Sequence, residues 1–314
     1  MSQVPRLPVA ALVSLLGLEL ACALSGRAAG PAPGMLLLDG AVVGSEVIVV
    51  GERGAIFRST DNARTWQPAD STVHATLTGI SFAPGQPAKE GWAVGHDAVI
   101  IKTRDGGRTW AKQYQGENLQ DSFLDVLALD AQRIVAVGAY GLFLASADGG
   151  QTWARRKLTT DDFHLNRLNR GPSGTLYLAG EHGTLLRSTD DGVSWNSIAA
   201  PYDGSFYGIL PLDRQQLLAH GLRGHLYRSS DDGAKWELVP APQPSLVAAA
   251  LKMNNDSVVI GGQARGLMIS RDFGRSFSLY PNLTTAVSEL LELADGTVIA
   301  LGEAGVTLLS VTSR

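Results

Sequence analysis

The chain has 314 residues, 45% of them hydrophobic and 18% charged, with a formal net charge of -4 at pH 7. No basic run exceeds Arg155-Arg156-Lys157, so the footprint of a nucleic-acid-binding surface is missing. With 36 glycines and a single cysteine, Cys22, the composition points to many short strands joined by tight turns and away from a disulfide scaffold.

Met1 to Ser25 reads differently from everything after it. Arg6 provides a positive start, Leu7 to Leu18 an apolar stretch, and Ala21-Cys22-Ala23 or Ala23-Leu24-Ser25 the small residues that a signal peptidase cuts behind. Residues 1–25 are therefore read as an export signal, to the periplasm, with a thylakoid lumen or the cell exterior as alternatives. Glu19 interrupts the run, which is short for a membrane span, and it stands where a lipoprotein signal carries an aliphatic residue. Cleavage after Ala23 or Ser25 leaves a mature chain without cysteine, which removes disulfides, thiolate catalysis and cysteine metal sites together. Residues 26–34 are a Pro/Gly/Ala spacer, read as a flexible leader, and residues 35–314 as one domain.

Six boxes organise that domain. Ser59 to Trp66, Thr103 to Trp110, Ser146 to Trp153, Ser188 to Trp195, Ser229 to Trp236 and Ser270 to Phe277 fit (Ser/Thr)-x-Asp-x-Gly-x-x-aromatic, except that Ala63 replaces the first glycine. Their aspartates, Asp61, Asp105, Asp148, Asp190, Asp231 and Asp272, are 44, 43, 42, 41 and 41 residues apart, the period of a repeat architecture. Each aspartate accepts hydrogen bonds from the backbone ahead of it, the hydroxyl closes the loop, and the following aromatic (Trp66, Trp110, Trp153, Trp195, Trp236 or Phe277) plugs the gap between neighbouring sheets.

A second motif gives seven. Gly-x-x-Gly turns lead with Gly51, Gly95, Gly138, Gly180, Gly221, Gly262 and Gly302, each after an apolar strand, although Ala98 and Arg265 replace the second glycine in two of them. The repeating unit is strand a, strand b, the glycine turn, strand c, the Asp box and strand d. In the third copy strands a to d run over 124–127, 134–137, 142–145 and 153–157. The expected fold is all-β, a seven-bladed propeller of four-stranded antiparallel blades with Asp-box turns between strands c and d. The last copy, 287–310, lacks a d strand, and the segment around Met35 to Leu37 is expected to close the ring by supplying it. An insertion at 83–91 should project on the Asp-box side.

The boxes match the BNR/Asp-box repeat of sialidases and many other propellers. The fuller unit, Leu37-Leu38-Asp39-Gly40-Ala41-Val42-Val43 through Val50-Gly51-Glu52-Arg53-Gly54-Ala55-Ile56-Phe57-Arg58-Ser59-Thr60-Asp61, resembles the photosystem II stability/assembly factor family. So does Ala136-Val137-Gly138-Ala139-Tyr140-Gly141 leading into its box. The resemblance extends over residues 35–314. It implies a lumenal, non-enzymatic assembly chaperone for a membrane complex. Similar chains in bacteria without photosynthesis leave the client open.

In a propeller the b–c and d–a loops share one face, opposite the Asp boxes, and that face usually binds. The candidate partner-binding residues are Glu52, Arg53, His96, Asp97, Tyr140, Glu181, His182, Arg223, Arg265 and Glu303 from b–c turns. The d–a loops add Asp121, Asp162, His164, Asp203 and Tyr207, with Arg167 and Arg170 on the following strand near the channel. Mixed charge with tyrosines around a rim suits protein recognition by a monomer, with no nucleic acid as partner. The alternative is a sialidase-like glycoside hydrolase, whose arginines, tyrosine and acids would come from Arg53, Arg167, Arg223, Arg265, Tyr207, Glu181 and Asp162, although at no spacing that matches one. His96, His182 and His225 fall in different blades, so neither a metal nor a cofactor is expected.

Overall fold

A computed structural model describes residues 34–311 apart from 86–88, 265 and 281–282; the expected export signal and most of the leader lie outside them. Six antiparallel sheets have four strands each in sequence order and a seventh has three. In blade 1 these are Leu37–Val43, Glu46–Gly51, Ile56–Ser59 and Gln67–Pro68. The other inner strands are Leu77–Phe82, Phe123–Ala128, Leu165–Arg170, Phe206–Pro211, Val247–Lys252 and Val287–Glu292. Each inner strand contacts the next, and the seventh contacts the first, so the sheets close into a seven-bladed propeller around a central channel.

The leading glycines of the b–c turns have one cause. Every inner strand bulges at its start, between its first and third residues, and pushes a carbonyl against the turn. A Cβ on Gly51, Gly95, Gly138, Gly180, Gly221, Gly262 or Gly302 would lie 1.9 to 2.5 Å from the carbonyl oxygen of Leu36, Thr76, Ser122, His164, Ser205, Leu246 or Ala286. No other residue type fits there.

The boxes form the c–d turns. In the first, Asp61 Oδ1 accepts the Thr65 amide at 2.9 Å, Oδ2 accepts the Thr65 hydroxyl at 2.6 Å, and Ser59 Oγ accepts the Ala63 amide at 3.0 Å. The Thr65 hydroxyl and amide hold the Asp61 carboxyl down at about 2. Each following aromatic packs into the cluster shared with the preceding blade, from Trp66 in the seam of blades 7 and 1 to Phe277 in that of blades 5 and 6. Truncating a buried ring of this kind costs about 3–5 kcal/mol.

Ring closure departs from expectation. Leu37 does not extend the seventh sheet; it pairs with Gly51 as part of the inner strand of blade 1. Among the described residues blade 7 consists of Val287–Glu292, Thr297–Gly302 and Gly305–Ser310. The seam is closed by side chains instead: Leu37, Val47, Val49 and Trp66 pack on Leu293, Ile299 and Leu301, and Ser288 donates its hydroxyl to the Leu37 carbonyl at 2.5 Å. Of the insertion at 83–91, residues 86–88 lie outside the described residues; at its end the Lys89 carbonyl accepts the Gly106 amide of the Asp box in the same blade at 2.9 Å.

Candidate functional site

The b–c turns carry large side chains in a conformation that favours glycine. Arg53 (φ 58°), Asp97 (58°), Tyr140 (55°), His182 (50°) and Arg223 (58°) occupy equivalent positions in five blades, all left-handed. Each costs of order 1 kcal/mol relative to an unstrained residue, and each turn displays its side chain on the same rim. Tyr140 is 67% exposed. Arg265 lies outside the described residues.

The first residue of several turns serves the scaffold. Glu52, Glu181 and Glu303 accept the amides of Leu36, His164 and Ala286 at 3.3, 3.1 and 3.1 Å, locking each turn to the chain segment entering its own blade. Asp121 pairs with Arg155 at 2.9 Å, and the Asp97 carbonyl accepts the side-chain Nε2 of Gln115. His96 sits in the turn of blade 2, its amide bonded to the Thr76 carbonyl at 3.0 Å.

Blades 3 to 5 bring candidates together. Tyr140 stands edge-on to His164 at 4.9 Å, and Phe163 stacks on His182 at 4.2 Å. His164 Nδ1 lies 3.6 Å from Glu181 Oε1, and Lys157 pairs with Asp162 at 3.0 Å. Asp203 abuts the turn at Gly183, and Tyr202 meets His225 at 4.2 Å. Tyr207 was expected in the d–a loop but is the second residue of the inner strand Phe206–Pro211, because that strand begins one residue earlier, at the bulge. Burial, with a smaller contribution from the Glu181 charge, raises its phenol pKa. Phe163 and Tyr202 were missed by the sequence reading; their position as loop aromatics just ahead of inner strands was the available signal.

A second constellation plugs the channel. The third residues of the seven inner strands are Asp39, Gly79, Asp125, Arg167, Gly208, Ala249 and Glu289. Arg167 reaches across to the other three charged members, at 3.7 Å from Asp39 and 3.6 Å from Asp125, with its shortest contact to Glu289. Asp39 also accepts the Ile80 amide of blade 2 at 2.8 Å, and Asp125 the Leu168 amide of blade 4 at 2.7 Å. Burial outweighs the pull of Arg167 and pushes the Asp39 carboxyl up to about 8; Asp125 is raised for the same reason. Arg170, further along the same strand, donates to the Leu129 carbonyl at 3.2 Å. Among the described residues no group of three or more His, Cys, Asp and Glu side chains is gathered so as to hold a metal ion.

Comparison with known proteins adds a lineage to this geometry. A profile of the family described as photosynthesis system II assembly factor YCF48 matches residues 34–134, 61–155 and 113–243. The chloroplastic photosystem II stability/assembly factor HCF136 of Oryza sativa subsp. japonica is 28% identical over 185 residues, covering 56% of this chain and 42% of the relative. Its Arabidopsis thaliana counterpart is 27% identical over 168 residues, covering 50% and 41%. The match thus spans less than half the length of these curated relatives. Among solved structures, YCF48 bound to D1 peptide has a TM-score of 0.74 at 20% identity, covering 91% of this chain and 96% of that one. YCF48 from Cyanidioschyzon merolae scores 0.73 at 16% identity, covering 88% and 96%, and the WD40 β-propeller domain of Doa1 0.72 at 13%, covering 91% and 97%. At these identities the structural likeness carries the fold alone.

Proposed function

Since the chain belongs to the photosynthesis system II assembly factor YCF48 family, we propose that it works by binding a protein partner, as an exported, non-enzymatic assembly or stability factor for a membrane or envelope complex. The observation that carries this reading is the rim of strained b–c turns: Arg53, Asp97, Tyr140, His182 and Arg223 keep full side chains in left-handed backbone where glycine would relieve the strain. A surface that retains such side chains, with an exposed tyrosine beside an aromatic and imidazole patch, suits peptide or protein recognition. The relatives' description as stability/assembly factors and the YCF48 structure bound to D1 peptide support the same class of partner. On this reading the chain is a monomer, residues 1–25 direct export, and the partner contacts the rim over blades 3 to 5 first, through Tyr140, Asp162, His164, His182, Asp203 and Tyr207. A D1-type peptide is one candidate client.

The glycosidase reading draws less support. It needs several arginines converging on one carboxylate ligand, whereas Arg167 is engaged by three carboxylates in the channel and Arg53 and Arg223 rise from the turns of blades 1 and 5. The test is binding of a labelled D1 peptide to the purified chain and to a triple charge reversal, Arg53→Glu, Arg223→Glu and Arg265→Glu. Binding lost with an unchanged melting temperature supports the proposal. Equal binding by both proteins, or hydrolysis of a glycoside without any peptide binding, overturns it.

A further inference from the structure

Four blades place a cation immediately before the Ser or Thr of the Asp box: Arg58, Lys102, Arg187 and Arg228. Three have a carboxylate partner. Arg58 pairs with Glu46, Lys102 with Glu90 at 3.3 Å and Arg187 with Asp232 at 2.5 Å. Arg228 departs from this pattern. It is only 7% exposed, yet among the described residues no carboxylate is paired with its guanidinium. Its Nε donates to the Phe273 carbonyl at 3.2 Å and Nη2 to the Gln216 amide oxygen, and both acceptors are neutral. A buried cation without a counter-ion is costly.

Arg228 lines a cavity of about 640 Å³ together with Asp213, Arg214, Gln215, Gln216, Ser230 and Arg275. Arg214 and Arg275 are exposed and add two more guanidinium groups. Asp213, the one carboxylate in that lining, is occupied by its own turn: it accepts the Gln215 and Gln216 amides, each at 2.9 Å, and the Gln216 side chain at 2.7 Å. Burial and the like charge of Arg275 lower the Arg228 pKa, against smaller opposing pulls from Glu237, Asp213 and Asp272.

We propose that this cavity, formed by the a–b turn and Asp box of blade 5 and the Asp box of blade 6, is an oxyanion site that takes a phosphate or carboxylate group. Arg228 forms its floor and supplies a guanidinium with no carboxylate paired to it among the described residues; Arg214 and Arg275 close on the ligand from solvent. Guanidinium forks match both anions in bidentate geometry. The site lies on the face opposite the b–c rim, so it is separate from the partner surface proposed above.

The experiment is calorimetric titration of the full chain, in chloride buffer, with inorganic phosphate and separately with an acetylated, amidated tetraglutamate peptide. Saturable one-site binding is expected for at least one probe. Phosphate alone identifies a phosphate-bearing ligand, whereas the peptide identifies side-chain carboxylates. Arg214→Gln and Arg275→Gln should each weaken binding about tenfold, and Arg228→Gln should abolish it. Because Arg228→Gln can fail for want of folding, its melting temperature is read alongside, and the two exposed variants decide the matter if it unfolds. Lys112→Ala, an exposed cation on the outer strand Ala111–Gln115 of blade 2, should leave anion affinity unchanged. Absence of saturable binding by both probes, or undiminished affinity in Arg214→Gln and Arg275→Gln, overturns the assignment.

Discussion

The guanidinium of Arg167, on the inner strand of blade 4, pairs across the channel with the carboxylate of Glu289, on the inner strand of blade 7. Both are third residues of their strands, just past the bulge. Gly79, Gly208 and Ala249 occupy the same position in three other blades; a Cβ on Gly208 would meet the buried His220 ring at 2.4 Å. One cation thereby ties blades 1, 3, 4 and 7 at the axis.

Removing it should therefore cost more than a surface ion pair does. Arg167→Met leaves Glu289, with 7% of its side chain exposed, without its cation, and removes the donor facing the raised Asp39 and Asp125. Since Arg167 keeps 26% of its side chain in solvent, the expected loss is roughly 3 kcal/mol, the low end for breaking a buried pair. Chemical denaturation of both proteins measures it, and a loss under about 1 kcal/mol, typical of a surface pair, would mean the channel cluster is solvated.

The same cluster gives stability a slope with pH. Asp39 is raised to about 8, so the folded state holds a proton that the unfolded carboxyl, at 3.8, releases. Its contribution is complete at acid pH and is lost as pH rises through 8. Buried His220, lowered to about 4, has the opposite sign: the unfolded state takes up its proton below 6.5, and the contribution is lost as pH falls through that window. The melting temperature should therefore decline between pH 6.5 and 8, where Asp39 acts without that opposition. Asp39→Asn, which keeps an acceptor for the Ile80 amide, should flatten the decline. Parallel curves for the two proteins would show that Asp39 is ionised throughout.

How far the sequence reveals the molecule can be judged on particular residues. The seven leading glycines and six boxes are local necessities, a carbonyl pressed on a turn and a carboxylate capping a hairpin, so they are visible in any one copy. Arg167 could be placed near the channel, but its partners could not, because Asp39, Asp125 and Glu289 share only a register position after a bulge. Aligning the inner strands would have exposed it. Ring closure was misread because Leu37 was assigned an outer-strand role; its pairing with Gly51 makes it an inner strand. Arg228 was passed over, since a missing counter-ion shows only once the neighbouring blades are in place.

The strained rim separates a functional from a structural role. Tyr140→Gly and Arg223→Gly each relieve a left-handed residue, worth about 1 kcal/mol, and lose part of that to the greater freedom of the unfolded chain. Melting temperatures should be unchanged or slightly raised while D1-peptide binding weakens. Variants that lose stability would instead mark these side chains as part of the fold.

The Asp-box aromatics should not be equivalent, because the seams they fill are not. Trp66 is 4% exposed and fills the seam between blades 7 and 1, where among the described residues no strand is shared and closure rests on side-chain packing and the Ser288 hydrogen bond. Trp236 is only partly buried and is held by a 3.1 Å bond from Nε1 to the Ala199 carbonyl, in a seam whose two blades follow each other in the chain. Trp66→Ala should cost about 3–5 kcal/mol and Trp236→Ala distinctly less. Hydrogen exchange locates the damage: in Trp66→Ala the amides of Gly305–Ser310, which already form the outer edge of the three-stranded blade, should exchange before those of any other c strand. If exchange rises evenly around the ring in that variant, the closing seam is no weaker than the rest, and closure by side chains alone is as strong as a covalent succession of blades.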